Sequence, residues 1–173
     1  MPELASRPAS AARPPNLLAA PTYVLSKLGR LAQRQTQESI ADQGLLLPHF
    51  SVLTTLDDCG PLAQYELADQ LALNRSHLVH YVDELESREA VRRDRDPQDR
   101  RRQVVSLTPA GRTLLTQLQT PINEVQDRFL TVLSKHERAV LMELLVRLLE
   151  HADEEANGEP CPGSGPGAAS LPG

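Results

Sequence analysis

The chain has 173 residues, 40% of them apolar but only 3% aromatic and none Trp, so its core must be built from Leu, Val and Ala, a composition that suits helices better than a β-sandwich. No apolar run approaches the roughly 20 residues of a membrane span, and the start of the chain, broken by Pro2, Pro8, Pro14 and Pro15, does not read as a secretory signal; a cytoplasmic protein is expected. Net charge is −5, yet six Arg and three Asp between Arg92 and Arg102 leave a local excess of +3, while Glu150 to Glu159 holds five acids and no Lys or Arg.

Residues 1–15, rich in Pro, Ala and Arg, predict a disordered arm. Leu17, Leu18, Val24, Leu25, Leu28, Leu31 and Ala32 recur at helical spacing, which predicts a first helix running to about Gln43. Pro21 marks where its regular part begins, and Gly44 is suited to a left-handed cap. Pro48 opens a second helix with Val52, Leu53 and Leu56 inward, and Cys59-Gly60-Pro61 stops it. A short third helix is expected over Gln64 to Leu71, burying Leu67, Ala68 and Leu71. Asn74 is a fitting N-cap for a fourth, from Arg75 to about Arg88, which buries Leu78, Tyr81, Val82 and Leu85.

The period then changes. Val91 to Arg95 and Gln103 to Leu107 predict two strands around the turn residues Asp96-Pro97-Gln98-Asp99. Thr108 and Pro109 restart helix, and Leu114, Leu118, Ile122, Val125, Phe129 and Val132 carry it on, with a kink expected near Pro121. Ser134 and Glu137 form a capping box before a last helix carrying Val140, Leu141, Leu144, Leu145, Leu148 and Leu149. Residues 156–173, rich in Pro and Gly, predict a disordered tail.

The expected fold is mainly α with a small β-hairpin: a winged helix-turn-helix flanked by further helices. Residues 16–46 and 109–155 form the flanks, and residues 47–108 the winged lobe. Such a unit is built for duplex DNA. A major groove about 12 Å wide admits one helix. The preceding helix braces it, and arginines on the hairpin reach the adjacent minor groove, whose narrowness concentrates negative potential. On the outer face of the fourth helix, Arg75, Ser76, His77, Val79 and His80 are the candidate base and phosphate contacts.

The run Asp96-Pro97-Gln98-Asp99-Arg100-Arg101-Arg102-Gln103-Val104-Val105-Ser106-Leu107-Thr108-Pro109-Ala110-Gly111 resembles the wing signature of the MarR family of bacterial regulators. The family's Asp-x-Arg corresponds to Asp99 and Arg101, and its Leu-Thr-x-x-Gly to Leu107, Thr108 and Gly111. Glu66-Leu67-Ala68 and Leu85-Glu86 are further landmarks, and the resemblance covers roughly residues 17–152. It implies a homodimer through the first and last two helices, a pseudo-palindromic DNA site with half-sites about one turn apart, and a small-molecule effector that relieves repression. It also implies that Arg101 is the minor-groove finger, that Asp99 braces it or a neighbouring Arg, and that Arg100 and Arg102 stand beside it. An effector pocket between the flanking helices and the DNA-reading lobe would draw on Tyr23, His49 and Phe50. Arg92, Arg93 and Arg95 are expected to contact phosphates or to pair with Asp94 and Asp96.

Catalysis finds no support. There is no phosphate-binding Gly-rich loop or nucleophile elbow, and the five His do not form a metal cluster with the two Cys; no cofactor, metal or enzymatic activity is expected. Two alternatives stay open: oxidant sensing through Cys59, and a winged-helix module that binds protein rather than DNA.

Overall fold

A computed structural model describes residues 14–95 and 102–157. Among them the element order is α1 (Pro15–Leu18), α2 (Pro21–Ser39), a 3-10 turn (Ala41–Gln43), α3 (Leu47–Cys59), β1 (Leu62–Ala63), α4 (Gln64–Gln70), α5 (Arg75–Ser87), β2 (Val91–Arg95), β3 (Gln103–Leu107), α6 (Pro109–Phe129) and α7 (Lys135–Asn157). Two compact units result, residues 1–129 and 130–173. Most of the expected arm and tail, and the hairpin tip, lie outside the described residues.

Local chemistry accounts for the boundaries. The expected first helix is split by Pro21, whose missing N–H is harmless at a helix start; α2 ends at Ser39, and Gly44 takes a left-handed φ of 63° after the 3-10 turn. Pro48 lies in the first turn of α3. The amide of Leu46 just ahead of that helix donates to Nδ1 of His49, 2.9 Å away, which satisfies one of the orphan amides of the helix start. Gly60 at φ 77° ends α3.

Helix α4 lacks a side-chain cap at Ala63, and Glu66 compensates: its Oε2 accepts the Ala63 amide at 2.9 Å. Asn74 caps α5 by accepting the Ser76 amide at 2.9 Å. Thr108 Oγ1 accepts the Gly111 amide at 2.9 Å and donates to Glu89 O at 2.6 Å, joining the start of α6 to the chain just before β2. Pro121 sits inside the continuous α6. Ser134 and Glu137 exchange hydrogen bonds ahead of α7 as a capping box does.

The sheet is antiparallel, in the order β1-β3-β2. Val91 faces Leu107 and Arg95 faces Gln103 across the hairpin, and Leu62 faces Val105 on the other edge. One core runs through the first unit. Val52, Leu53 and Leu56 of α3 meet Leu67 of α4, Leu78, Val82 and Leu85 of α5, Val91 and Val105 of the sheet, and Leu115, Leu118 and Ile122 of α6. Tyr81, expected to be buried, is only half-buried, and Val132, expected to face inward, lies beyond the end of α6 with 85% of its surface exposed. Alternation and helical spacing located the apolar faces, while the turn that follows Phe129 takes Val132 out of the helical stripe.

Candidate nucleic-acid interface

Three short elements converge on one face of the first unit. Helix α5 begins with Arg75, Ser76 and His77, and all three are exposed, as are Val79 and His80 one turn on. Leu78, Val82 and Leu85 of the same helix are fully buried. Spacing of three to four residues thus separates an anchored face from a solvent face. The N-terminal turn of α5 also carries the positive end of the helix dipole, which favours anions.

Beside that helix lies a trough of about 670 Å³, lined by Gln64 and Tyr65 of α4, Arg75, Ser76 and Val79 of α5, Arg95 of β2, and Arg102 and Gln103 at the start of β3. Three of these residues are arginines and none is acidic. In a chain of net charge −5 such a concentration of positive charge is local and directional.

The individual charges are held to different degrees. Arg75 lies 3.5 Å from Asp69 with most of its side chain in solvent. Arg92 pairs with Asp94 at 2.7 Å on the exposed side of the hairpin, as the sequence led one to expect. Arg102 donates to Glu66 Oε1 at 2.9 Å and lies over the Tyr65 ring, 5.3 Å from its centroid. Tyr65 donates its hydroxyl to the same carboxylate oxygen at 3.0 Å. Glu66 is therefore held below the usual carboxylate range, first by the Ala63 amide and then by the Tyr65 hydroxyl.

Arg93 departs from expectation. It pairs with Asp83 and Glu86 of α5, at 2.6 and 2.7 Å from Nη1, rather than with Asp94; Asp96 lies outside the described residues. Nε donates to Gln64 Oε1 at 3.2 Å, and Nη2 to Val79 O at 3.2 Å. Neighbours on a strand point to opposite faces, so Arg93 turns to the helices while Asp94 turns away.

Asp99, Arg100 and Arg101 lie outside the described residues. Of the residues expected to line an effector pocket, Tyr23 lies on α2 and His49 and Phe50 lie on α3. His49 is buried at 1% exposure; Nδ1 is taken by Leu46, Nε2 lies 3.1 Å from Glu84 Oε2, and the ring packs edge-on against Tyr81. Phe50 packs against the core. Tyr23 is half-buried on α2 with the Lys27 ammonium 5.9 Å from its ring centroid. A separate cavity of about 650 Å³ lies between α2 and α6, lined by Gln35, Glu38, Ser39, Val125, Arg128 and Phe129. Cys59 is a free, exposed thiol at the end of α3. No described group of His, Cys, Asp and Glu could hold a metal, and no described helix is long and apolar enough to cross a membrane.

Sequence reasoning passed over Gln64, Tyr65 and Gln103, whose places in the trough depend on α4 and β3 meeting. Glu66, three residues after Ala63, was the one signal that this helix start is specially tied.

Comparison with known proteins agrees with this geometry. Residues 45–102 match the MarR family model. Over 143 residues the chain is 31% identical to the HTH-type transcriptional repressor NicR of Pseudomonas putida, an alignment spanning 79% of this chain and 90% of that one. It is 31% identical to a probable transcriptional regulator of known structure from Pseudomonas aeruginosa, with a TM-score of 0.63 over 72% of this chain and 96% of the other. A mutant Escherichia coli MarR crystallised with operator DNA, 22% identical, shares the fold at a TM-score of 0.66 over 74% of this chain and 92% of the other. The trough, the hairpin and these relatives lead to one assignment: the chain belongs to the MarR family of winged-helix transcriptional regulators.

Proposed function

We propose that this chain is a dimeric repressor that grips duplex DNA with the exposed face of α5 and the arginine-bearing hairpin, and lets go when a small-molecule effector binds. The carrying observation is the trough, where Arg75, Arg95 and Arg102 surround a concavity that has no acidic residue among its described lining, beside an exposed helix start. A polyanion is the partner that such a surface selects. The naming of NicR as a repressor and the operator complex of the Escherichia coli relative support the same reading.

In this reading Arg75, Ser76, His77, Val79 and His80 meet base edges and phosphates in the major groove. Arg101, with Asp99, Arg100 and Arg102 around it, works at the minor groove. Apolar side chains exposed on α1 and α2 (Leu17, Leu18, Leu25, Leu28) and on α7 (Val140, Met142, Leu144, Leu148, Leu149) are the surfaces for a second copy. The cavity between α2 and α6 has the volume of a small-molecule site. Effector and DNA, bound at separate sites, then weaken each other by the same factor.

Selection of duplexes from a random pool tests the proposal. It should return a sequence with twofold symmetry, bound with an affinity that falls steeply with salt, at about 0.9 log units per log unit of salt for each phosphate neutralised. Arg101→Ala should weaken binding to all duplexes, whereas His77→Ala should relax preference at one or two base pairs, by about 1–3 kcal/mol each. A chain that retains no duplex at low ionic strength would refute the reading.

A further inference from the structure

The two helical walls of the trough, α4 and α5, lead back to one guanidinium. Arg93 lies behind it with only 14% of its side chain exposed. Through Nε it holds Gln64, which lines the α4 wall. Through Nη2 it holds the carbonyl of Val79, which lines the α5 wall. Through Nη1 it meets Asp83 and Glu86 further along α5, and its own backbone amide donates to Glu86 Oε1 at 3.1 Å. Two residues on, and so on the same face of β2, stands Arg95, the hairpin's contribution to the trough.

We infer that Arg93 is a positioning residue: it locks the hairpin to α5 and α4 so that the two DNA-contacting elements present one rigid surface. The inference rests on the DNA-binding reading above. A planar guanidinium with a fixed fork of donors suits this task, because each bond constrains its orientation as well as its distance. A lysine, a single point charge on a flexible stem, retains the charge and loses the fork. Its two carboxylate partners neutralise Arg93, which removes it from the pool of charges available to phosphate.

The sign of one experiment separates positioning from plain electrostatics. Neutralising two acids near a DNA-binding face should raise affinity if charge alone mattered. Asp83→Asn combined with Glu86→Gln frees Arg93 and removes two negative charges. The positioning role predicts the opposite: at least tenfold weaker binding to the best duplex recovered by selection, with less than about threefold change on a mixed-sequence duplex of equal length. Arg93→Lys should show the same loss of discrimination. Helical circular dichroism and the melting midpoint, measured on the same samples, establish that both variants are folded at the assay temperature.

Tighter binding by the double variant, or unaltered discrimination by folded Arg93→Lys, overturns the inference. Equal weakening on both duplexes overturns it too, and a salt slope smaller by about one in Arg93→Gln, which removes the charge that lysine keeps, makes Arg93 a phosphate contact. A wild-type chain that binds no duplex overturns the DNA-binding reading and the positioning role with it. Wild-type binding with indifferent variants overturns the positioning role alone.

Discussion

The imidazole of His49 is a buried base that must stay neutral. Its Nδ1 accepts the Leu46 amide, and a proton there would set two donors face to face. Burial lowers its pKa from the ordinary 6.5, against the pull of the Glu84 carboxylate; the Arg88 guanidinium adds to the lowering. The unfolded chain therefore takes up this proton first. The stability that His49 contributes is complete above about pH 6.5 and is lost as pH falls from there through the lower folded value. The melting midpoint should drop between pH 7.5 and 5.5, and His49→Gln, whose side-chain oxygen can still accept a hydrogen bond, should flatten that dependence. An equally steep profile in the variant would remove His49 from the account. Glu66 and Glu137 are both shifted down from 4.5 by hydrogen bonds, from the Ala63 amide and from Ser134 respectively, so they act in a more acid window and do not blur this test.

At the scale of elements, the start of α6 depends on having no side chain at Gly111. A Cβ built there would stand 2.0 Å from Ala90 O and 2.6 Å from Leu107 Cδ1. The contact with Ala90 is backbone and cannot swing aside. On an open helix Gly→Ala gains about 1 kcal/mol. Here the clash should dominate, and Gly111→Ala should cost about 1–3 kcal/mol in urea unfolding. A stabilised variant would show that the close approach is unimportant.

The same region shows which elements were legible in the sequence. Alternation and turn residues placed both hairpin strands where they are found, because a strand pair leaves a period in the chain. The two-residue β1 leaves none. Ala72 and Glu89 adopt positive φ, 49° and 58°, without the glycine that would announce a left-handed turn. The trough was half legible: the helix face at Arg75 to His80 follows from helical spacing, but Tyr65 and Gln64 enter only through packing. Arg93 was misread because its partners Asp83 and Glu86 lie in another element, and an adjacent Asp in sequence points the other way on a strand.

At the scale of the whole molecule, apolar surface is the unsettled quantity. Among the described residues of α1, α2 and α7 none is fully buried, though each helix carries large apolar side chains. Exposed apolar area of this kind marks a contact surface. If it is covered by a second copy, folding and association are linked, and the melting midpoint should rise with protein concentration. Sedimentation across the same range should show dimer giving way to monomer on dilution. A monomer with a concentration-independent midpoint would oppose the dimeric reading. The sequence showed the stripe on these helices but not its cover, since a periodic pattern records which side is apolar and nothing about the partner.

Gln37 of α2 splints the chain where it enters α3: its Nε2 donates to Leu45 O at 3.0 Å and its Oε1 accepts the Leu47 amide at 2.9 Å. The two backbone groups have opposite polarity, so the splint needs a side chain with a donor and an acceptor on one flat end. A carboxylate has the same outline but offers only acceptors when ionised. Exchange of one nitrogen for oxygen, the change that deamidation makes, would turn a matched end towards the Leu45 carbonyl as a repelling one. The junction is thus sensitive to a difference of a single atom.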